Sequence, residues 1–458
     1  MDASSQYRME NDTLGSIMVP KSAYYGSQTQ RAIENFNISG ITLPHVFIKA
    51  QGIIKAASAT TNMAMGTLAP DMGKAIVQAA EEVIEGKWDN EFVVDVYQAG
   101  AGTSQNMNVN EVIASRATEL MGGTQRVNPN DHVNMSQSTN DTFPSALNMA
   151  AAEEITARLL PALSQLQEAF QKKADQFMPI LKAGRTHLHD GVPIRLGQEF
   201  SGYAETVNTV RQQLTERLDG LYVIGLGGNA IGTKVSLQPG YIPKVMEEVR
   251  KRTNTPFREP ANIFSFMQNM NEPIRCMLTL KELATHLIKI TSDLRLLSSG
   301  PRTGLAEITL PPVQPGSTIM PGKVNPAILE MTHMVCCQVI GYETAVATAG
   351  IAGQLEINVM MPVIAHTFLH AIDLMVNAIN TLVPKCINGI DVNQANCERW
   401  MNESLSLVTG LSPSLGYDMA SQIGMSADEE NKTIKQILME KGLLTDEVIQ
   451  AIDPKGMA

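Results

Sequence analysis

The chain has 458 residues, 44% of them hydrophobic and 18% charged, enough to bury a large core and too long for one simple domain. A formal charge of −11 argues against a nucleic-acid partner, while a local cationic pocket can still bind an anion in an acidic protein. Aromatic residues are only 5% and methionines number 26, a balance that suits aliphatic helix packing better than an aromatic-rich sandwich.

The lead-in, residues 1–40, reads as irregular, punctuated by Gly15, Pro20 and Gly26. Its first twenty residues are polar and mixed in charge, with no leader pattern. Residues 46–85 turn helical, rich in Ala, Ile and Met. Gly100-Ala101-Gly102-Thr103-Ser104 can open a helix whose free amides face an anion; as a plain cap, Thr103 or Ser104 would only satisfy backbone. It lacks the spacing and the preceding strand of a dinucleotide site. Residues 128–141 form a second polar cluster, ending Ser136-Gln137-Ser138-Thr139-Asn140-Asp141. These short side chains compete with helical bonding and suit loops, caps or a binding site.

Long helices begin near residue 142. Ile155, Leu159, Leu163, Leu166, Phe170 and Phe177 recur at helical steps, and Pro161 predicts a kink or a shifted start. After a polar break at 184–193, Leu196, Phe200, Tyr203, Val207, Val210, Leu214, Leu218 and Leu221 mark one packed seam. Residues 275–298, 327–349 and 356–385 complete five long helices. Together they predict a mainly α fold built on an antiparallel bundle. Domain boundaries are expected at 1–139, 140–392 and 393–458, the last a small helical appendix. Cys276, Cys336, Cys337, Cys386 and Cys397 show no zinc spacing, and their odd number points to reduced thiols and a cytoplasmic location. No uncharged apolar run reaches the ~18 residues that suggest a membrane span, so no membrane partner is expected. His366 and His370 lie four apart without an acidic partner and are read as structural.

Chemistry gathers at the breaks. Gly316 to Pro326 holds two glycines and two prolines and reads as a loop. It carries a hydroxyl suited to a nucleophile or base (Ser317), a cation (Lys323) and an amide able to hold a carboxylate oxygen (Asn325). Thr186-His187 sits in a crowded break between long helices. Remote polar breaks at helix ends can converge into one site.

Gly316-Ser317-x-x-Met320-Pro321-x-Lys323-x-Asn325 resembles the signature loop of the fumarase/aspartase superfamily. Gly102-Thr103-Ser104-x-Asn106-Met107-Asn108, Ser136 to Asp141 and Gly184-Arg185-Thr186-His187 are similar to its other blocks, in the same order. The resemblance implies small N- and C-terminal domains around a central five-helix bundle. Four bundles would form the twenty-helix core of a homotetramer, each active site drawn from three subunits. It implies a small dicarboxylate substrate, with neither cofactor nor metal. Ser317 would be the base, with His187 and Lys323 the other catalytic groups. Thr103, Ser138, Thr139, Asn140, Thr186, Met320, Lys323 and Asn325 would bind substrate, and Glu330 is a candidate partner for His187.

Ala101, Thr139, Ala23-Tyr24-Tyr25-Gly26 and Val192-Pro193 resemble the aspartase branch. The expected reaction is therefore elimination of ammonia from L-aspartate to give fumarate. The proton beside the carboxylate leaves first, and fixed donors stabilise the resulting aci-carboxylate. The alternatives are hydration of fumarate to malate, another substituted succinate, or a silent structural tetramer. Lys234, Ser236 and Met361 depart from the branch pattern, which has Gly, Asn and Glu there, and bear on strict aspartate specificity.

Overall fold

In the computed structural model, which describes residues 6–123 and 125–458, apolar spacing becomes helix over most of the chain. The first five residues of the lead-in, part of the stretch read for a leader, lie outside the described residues. The rest of the lead-in is ordered, contrary to the irregular reading. β1 (Tyr7–Asp12) and β2 (Gly15–Pro20) pair as an antiparallel hairpin, and α1 (Ser27–Asn35) follows. Tyr7 and Met9 alternate with Arg8 and Glu10, but inversely: the apolar side chains are exposed and the charged ones are half-buried. The strand is tied down by Arg8, whose guanidinium donates to the carbonyls of Pro20, Ala23 and Tyr25.

The stretch 46–85 divides into α2 (His45–Ala64) and α3 (Pro70–Ile84). α2 is buried along most of its length. Gly52 lets α3 come close, because an added Cβ would lie 2.9 Å from the Ile84 side chain. α4 (Thr103–Leu120) and α5 (Thr139–Glu154) follow. A π turn at Ile155–Leu159 joins α5 to α6 (Leu160–Phe177). The expected disturbance at Pro161 therefore takes the form of a widened turn just ahead of the proline, which has no N–H to give. Ile155, Leu159, Leu163, Leu166, Phe170 and Phe177 are all buried.

The break at 184–193 is a second hairpin, which polar composition alone did not reveal. β3 (Leu181–Thr186) pairs with β4 (His189–Arg195), with a register shift at Ala183/Gly184. α7 (Leu196–Leu221) then buries every residue of its predicted seam. Next come α8 (Tyr241–Thr253), α9 (Ile263–Gln268), α10 (Asn271–Leu297), β5 (Ile308–Thr309) and α11 (Ala327–Ile351). A short hairpin, β6 (Gly353–Gln354) with β7 (Ile357–Asn358), delays α12 (Met361–Lys385) by a few residues. β8 (Asp391–Val392) pairs with β5. α13 (Gln394–Glu403) through α14 (Ser412–Leu415), α15 (Tyr417–Glu429), α16 (Ile434–Glu440), α17 (Asp446–Ala451) and α18 (Pro454–Met457) complete the chain. The fold is mainly α; α7, α10, α11 and α12, of 25 to 27 residues, are its longest helices, and α2, with 20, is longer than α6, with 18.

Two compact units emerge. The first comprises Met1–Leu160, Gln212–Glu282 and Gln338–Met375. In it α2 packs on α3, α5 and α8, and α3 packs on α4. The second comprises Pro161–Arg211, Leu283–Cys337 and Val376–Ala458. In it β3 packs on α13, and a separate cluster forms around Leu411, Ile423, Ile437 and Leu438. By length and composition, α11 and the segment Met361–Gly389 are long and apolar enough to cross a membrane. The search for uncharged runs passed over them because Glu330, Glu343 and Asp373 interrupt them.

Candidate functional site

The first unit holds Thr103, Ser138, Thr139 and Asn140. Gly102 stands at φ +81 as the N-cap of α4, and an added Cβ would lie 2.1 Å from the Phe143 ring. Only glycine fits that close approach. Gly102 gives α4 no side-chain cap, but Gln98 Oε1 accepts from Gln105 N at 2.8 Å, which leaves the amides of Thr103, exposed at the first position, and Ser104 at the helix end. Ser138 is fully used as a cap: its Oγ accepts from the Asn140 amide at 3.2 Å, in a capping box with Asp141. Asn140 donates from Nδ2 to the Ala230 carbonyl at 2.8 Å.

Thr139 is buried, and its Oγ1 accepts from Asn106 Nδ2 at 3.0 Å. Behind Asn106 lies Lys55, which the sequence reading missed. The signal was a lysine inside an otherwise apolar and small-residue helix. Its Nζ donates to Asn106 Oδ1, Gln137 Oε1 and Asn134 Oδ1 at 2.8, 2.9 and 3.0 Å. Three acceptors match the three hydrogens of an ammonium. Burial nevertheless pushes Lys55 down to about 7, and the same burial pushes the Asp141 carboxyl up to about 7. Asp141 accepts from the amides of Asn229 and Gly227, tying α5 to the 225–230 turn.

Lys234 and Ser236 stand at φ 59 and 65. The glycine and asparagine of the aspartase pattern take this left-handed conformation at lower cost.

The second unit holds Thr186, His187, Ser317, Met320, Lys323 and Asn325. Thr186 pairs with His189 across a two-residue turn made of His187 and Leu188, at φ 56 and 61. Two successive left-handed residues are the signature of the hairpin turn that matches strand twist. Glycine or asparagine usually fills it, so an exposed His-Leu pair there carries strain of the kind found at working sites.

The 316–325 loop closes on itself. Gly316 N donates to Lys323 O at 2.9 Å, and Asn325 Nδ2 donates to Gly316 O at 2.6 Å. A Cβ on Gly316 would lie 2.6 Å from Lys323 O. Asn325 therefore fixes the loop from within. Ser317 Oγ accepts from the amides of Met320 and Ile319 at 2.9 and 3.3 Å. Both bonds favour the deprotonated oxygen over the hydroxyl. Met320 and Lys323 are exposed, so their side chains are open to a ligand. Glu330 lies 3.8 Å from Arg295 within the chain.

The structure thus joins the Thr103 helix to Thr139 through Asn106, and Ser317 to Met320, Lys323 and Asn325 through one loop. Among the described residues no hydrogen bond or ion pair runs from Thr186 or His187 to that loop. His366 and His370 stack at 5.6 Å, and among the described residues no group of three or more His, Cys, Asp or Glu is placed to hold a metal.

Residues 15–341 match the sequence family described as Lyase, and residues 407–458 match the one described as Fumarase C C-terminus. A class II fumarate hydratase of Neisseria meningitidis is 44% identical over 444 residues, 96% of each chain. An aspartate ammonia-lyase of a Bacillus species is 42% identical over 453 residues, covering 98% of this chain and 97% of that one. The crystal structure of class II fumarase from Schistosoma mansoni superposes with a TM-score of 0.96 at 36% identity, over 99% of both chains.

Proposed function

We propose that this chain, which belongs to the fumarase/aspartase superfamily of lyases, interconverts malate and fumarate. The observation that carries the proposal is the end-to-end similarity to class II fumarate hydratases, including the one from Neisseria meningitidis. Ser317, as an oxyanion held by the Met320 and Ile319 amides, takes the proton from C3 of malate. The C–H electrons move into the adjacent carboxylate, which becomes a doubly charged aci-carboxylate. Lys323 and the α4 amides at Thr103 are the donors that meet this charge. The electrons then return to form the C2–C3 double bond, and the C2 hydroxyl leaves.

Hydroxide is a poor leaving group, so this reading needs a proton donor. Histidine titrates near neutrality, and we assign that role to His187. Thr139, Asn140 and Thr186 orient the carboxylates. The sites are assembled in a homotetramer, which gathers blocks carried by different subunits.

A second reading, L-aspartate to fumarate and ammonia, is supported by the Bacillus relative and by the spellings around Ala101 and Thr139. Ammonia departs from an ammonium without a strong acid, so His187 would then only orient substrate. The test is fumarate absorbance with malate and L-aspartate offered separately. Turnover of malate alone supports the first reading. Turnover of aspartate alone replaces it with the second, and turnover of neither overturns both.

A further inference from the structure

Beneath the hairpin that carries Thr186 and His187 lies a closed set of four charges. The Glu307 side chain is 0% exposed. Its Oε1 accepts from Arg185 Nη2 at 2.9 Å, and its Oε2 lies 3.2 Å from Lys182 Nζ. Lys182, 1% exposed, also donates to Glu199 Oε1 at 2.8 Å, in the first turn of α7. Two cations and two carboxylates balance. Such a buried set is weak evidence for stability, because apolar residues of the same volume often serve as well. What it fixes is geometry.

A bulge in the partner strand goes with the set. Lys182 and Arg185 are three apart on β3 and would face opposite sides of a regular ribbon. The register shift at Ala183/Gly184, where β4 carries Val192 as an extra residue, twists the ribbon so that both reach one carboxylate. Gly184 allows this, since a Cβ there would lie 2.5 Å from the Val192 carbonyl.

Glu307 is itself a fixed post. Its amide donates to Leu297 O at the end of α10, and its carbonyl accepts from Asn393 N. Asn396 and Trp400 of α13 donate to the carbonyls of Ala306 and Leu305. The returning arm of the hairpin is pinned too: Asp190 accepts from Leu405 N, and Gly191 O accepts from Ser406 Oγ.

We propose that Glu307 is a positioning residue, which holds the Arg185 guanidinium and thereby sets where the next two residues, Thr186 and His187, stand. This rests on the reading above that those side chains meet the substrate. The planar fork of Arg185 transmits orientation in a way a single cation does not.

The test uses Arg185→Gln, Arg185→Lys and Glu307→Gln in the full-length protein. In the malate assay Arg185→Gln should lower kcat by roughly 10–100-fold, with a smaller change in KM, as misplaced catalytic groups do. Arg185→Lys should recover part of the loss, and Glu307→Gln should resemble Arg185→Gln. If Glu307→Gln does not fold, the Arg185 pair decides, because Arg185 is partly solvated and tolerates replacement better. Hydrogen exchange at residues 181–195, read without substrate, should quicken in Arg185→Gln while 45–64 stays protected. Wild-type kcat in a folded Arg185→Gln variant, or unchanged exchange at 181–195, overturns the proposal. If the wild-type protein turns over neither malate nor aspartate, the functional reading fails alone, and the exchange result still decides the role of Glu307.

Discussion

Single side chains divide between chemistry and its support. With Ser317 as the base proposed above, Ser317→Ala removes the proton acceptor and leaves the binding groups in place, so the loss should fall on kcat with KM little changed. Exchange of the substrate's C3 proton with solvent checks this directly: exchange at the wild-type rate in the variant would return the search for the base to His187. Lys323→Ala removes the cation proposed to meet substrate and transition state alike, and should damage both parameters, with kcat down ~10²–10³-fold. The buried pair Lys55 and Asp141 gives a pH signature of its own. Burial raises Asp141 from its ordinary value of 3.8 to about 7. Its contribution to stability is full below pH 3.8 and is lost as pH rises through about 7. Burial lowers Lys55 from 10.5 to about 7, so its contribution is full above 10.5 and is lost as pH falls through about 7. The two slopes meet in a trough near neutrality. Thermal midpoints at fixed protein concentration should dip there in the wild type, and the dip should flatten in Lys55→Met/Asp141→Asn.

In each unit the proposed site residues stand at the ends of elements. The capped start of α5, the glycine-led start of α4, the hairpin tip and the 316–325 loop are all short segments held by longer ones. The tip makes a sharp prediction. Leu188 is 76% exposed and stands at φ 61, so its side chain contributes little and its backbone is strained. Leu188→Gly should keep activity and stabilise the fold by roughly 0.5–1 kcal/mol, the relief of a left-handed non-glycine residue less the entropy glycine loses. A urea melt checks it, and a destabilised variant would mean that Leu188 is held by contacts. The long helices were legible because burial imposes period: all eight seam residues of α7 are buried where spacing put them. The Ser317 loop was legible because glycine and proline punctuate. The β1–β2 and β3–β4 hairpins were not, since the alternation in β1 and β3 is short, covering only Tyr7 to Glu10 and Leu181 to Ala183, and each is held by charged side chains, Arg8 and the Lys182–Arg185–Glu307 set. Lys55 and Glu307 were missed for a related reason. A lone charge in an apolar stretch looks solvated until its buried partners, distant in sequence, are known.

At the scale of the whole molecule, one long apolar helix is largely exposed. The apolar window of α11 is only 28% buried, against 67% for the corresponding window of the segment beginning at Met361. Met334, Cys337, Gly341, Ala345 and Thr348 are all exposed and recur at steps of three and four, one continuous stripe. Small residues on such a stripe let another helix approach closely, and a second copy of this chain is the natural occupant in the homotetramer proposed above. Gly341 separates the two explanations for that stripe. A Cβ added there meets nothing within 4 Å, so a single chain has room for a large side chain at that position. Gly341→Leu should therefore leave the folded chain intact by far-UV circular dichroism yet break the tetramer, and activity should fall with it if sites draw on several subunits. Light scattering on the wild type should give four times the chain mass, and on the variant a smaller species. A wild-type protein that is active as a stable monomer, or a Gly341→Leu variant that remains a full tetramer, would remove α11 from the interface and leave its apolar face unexplained.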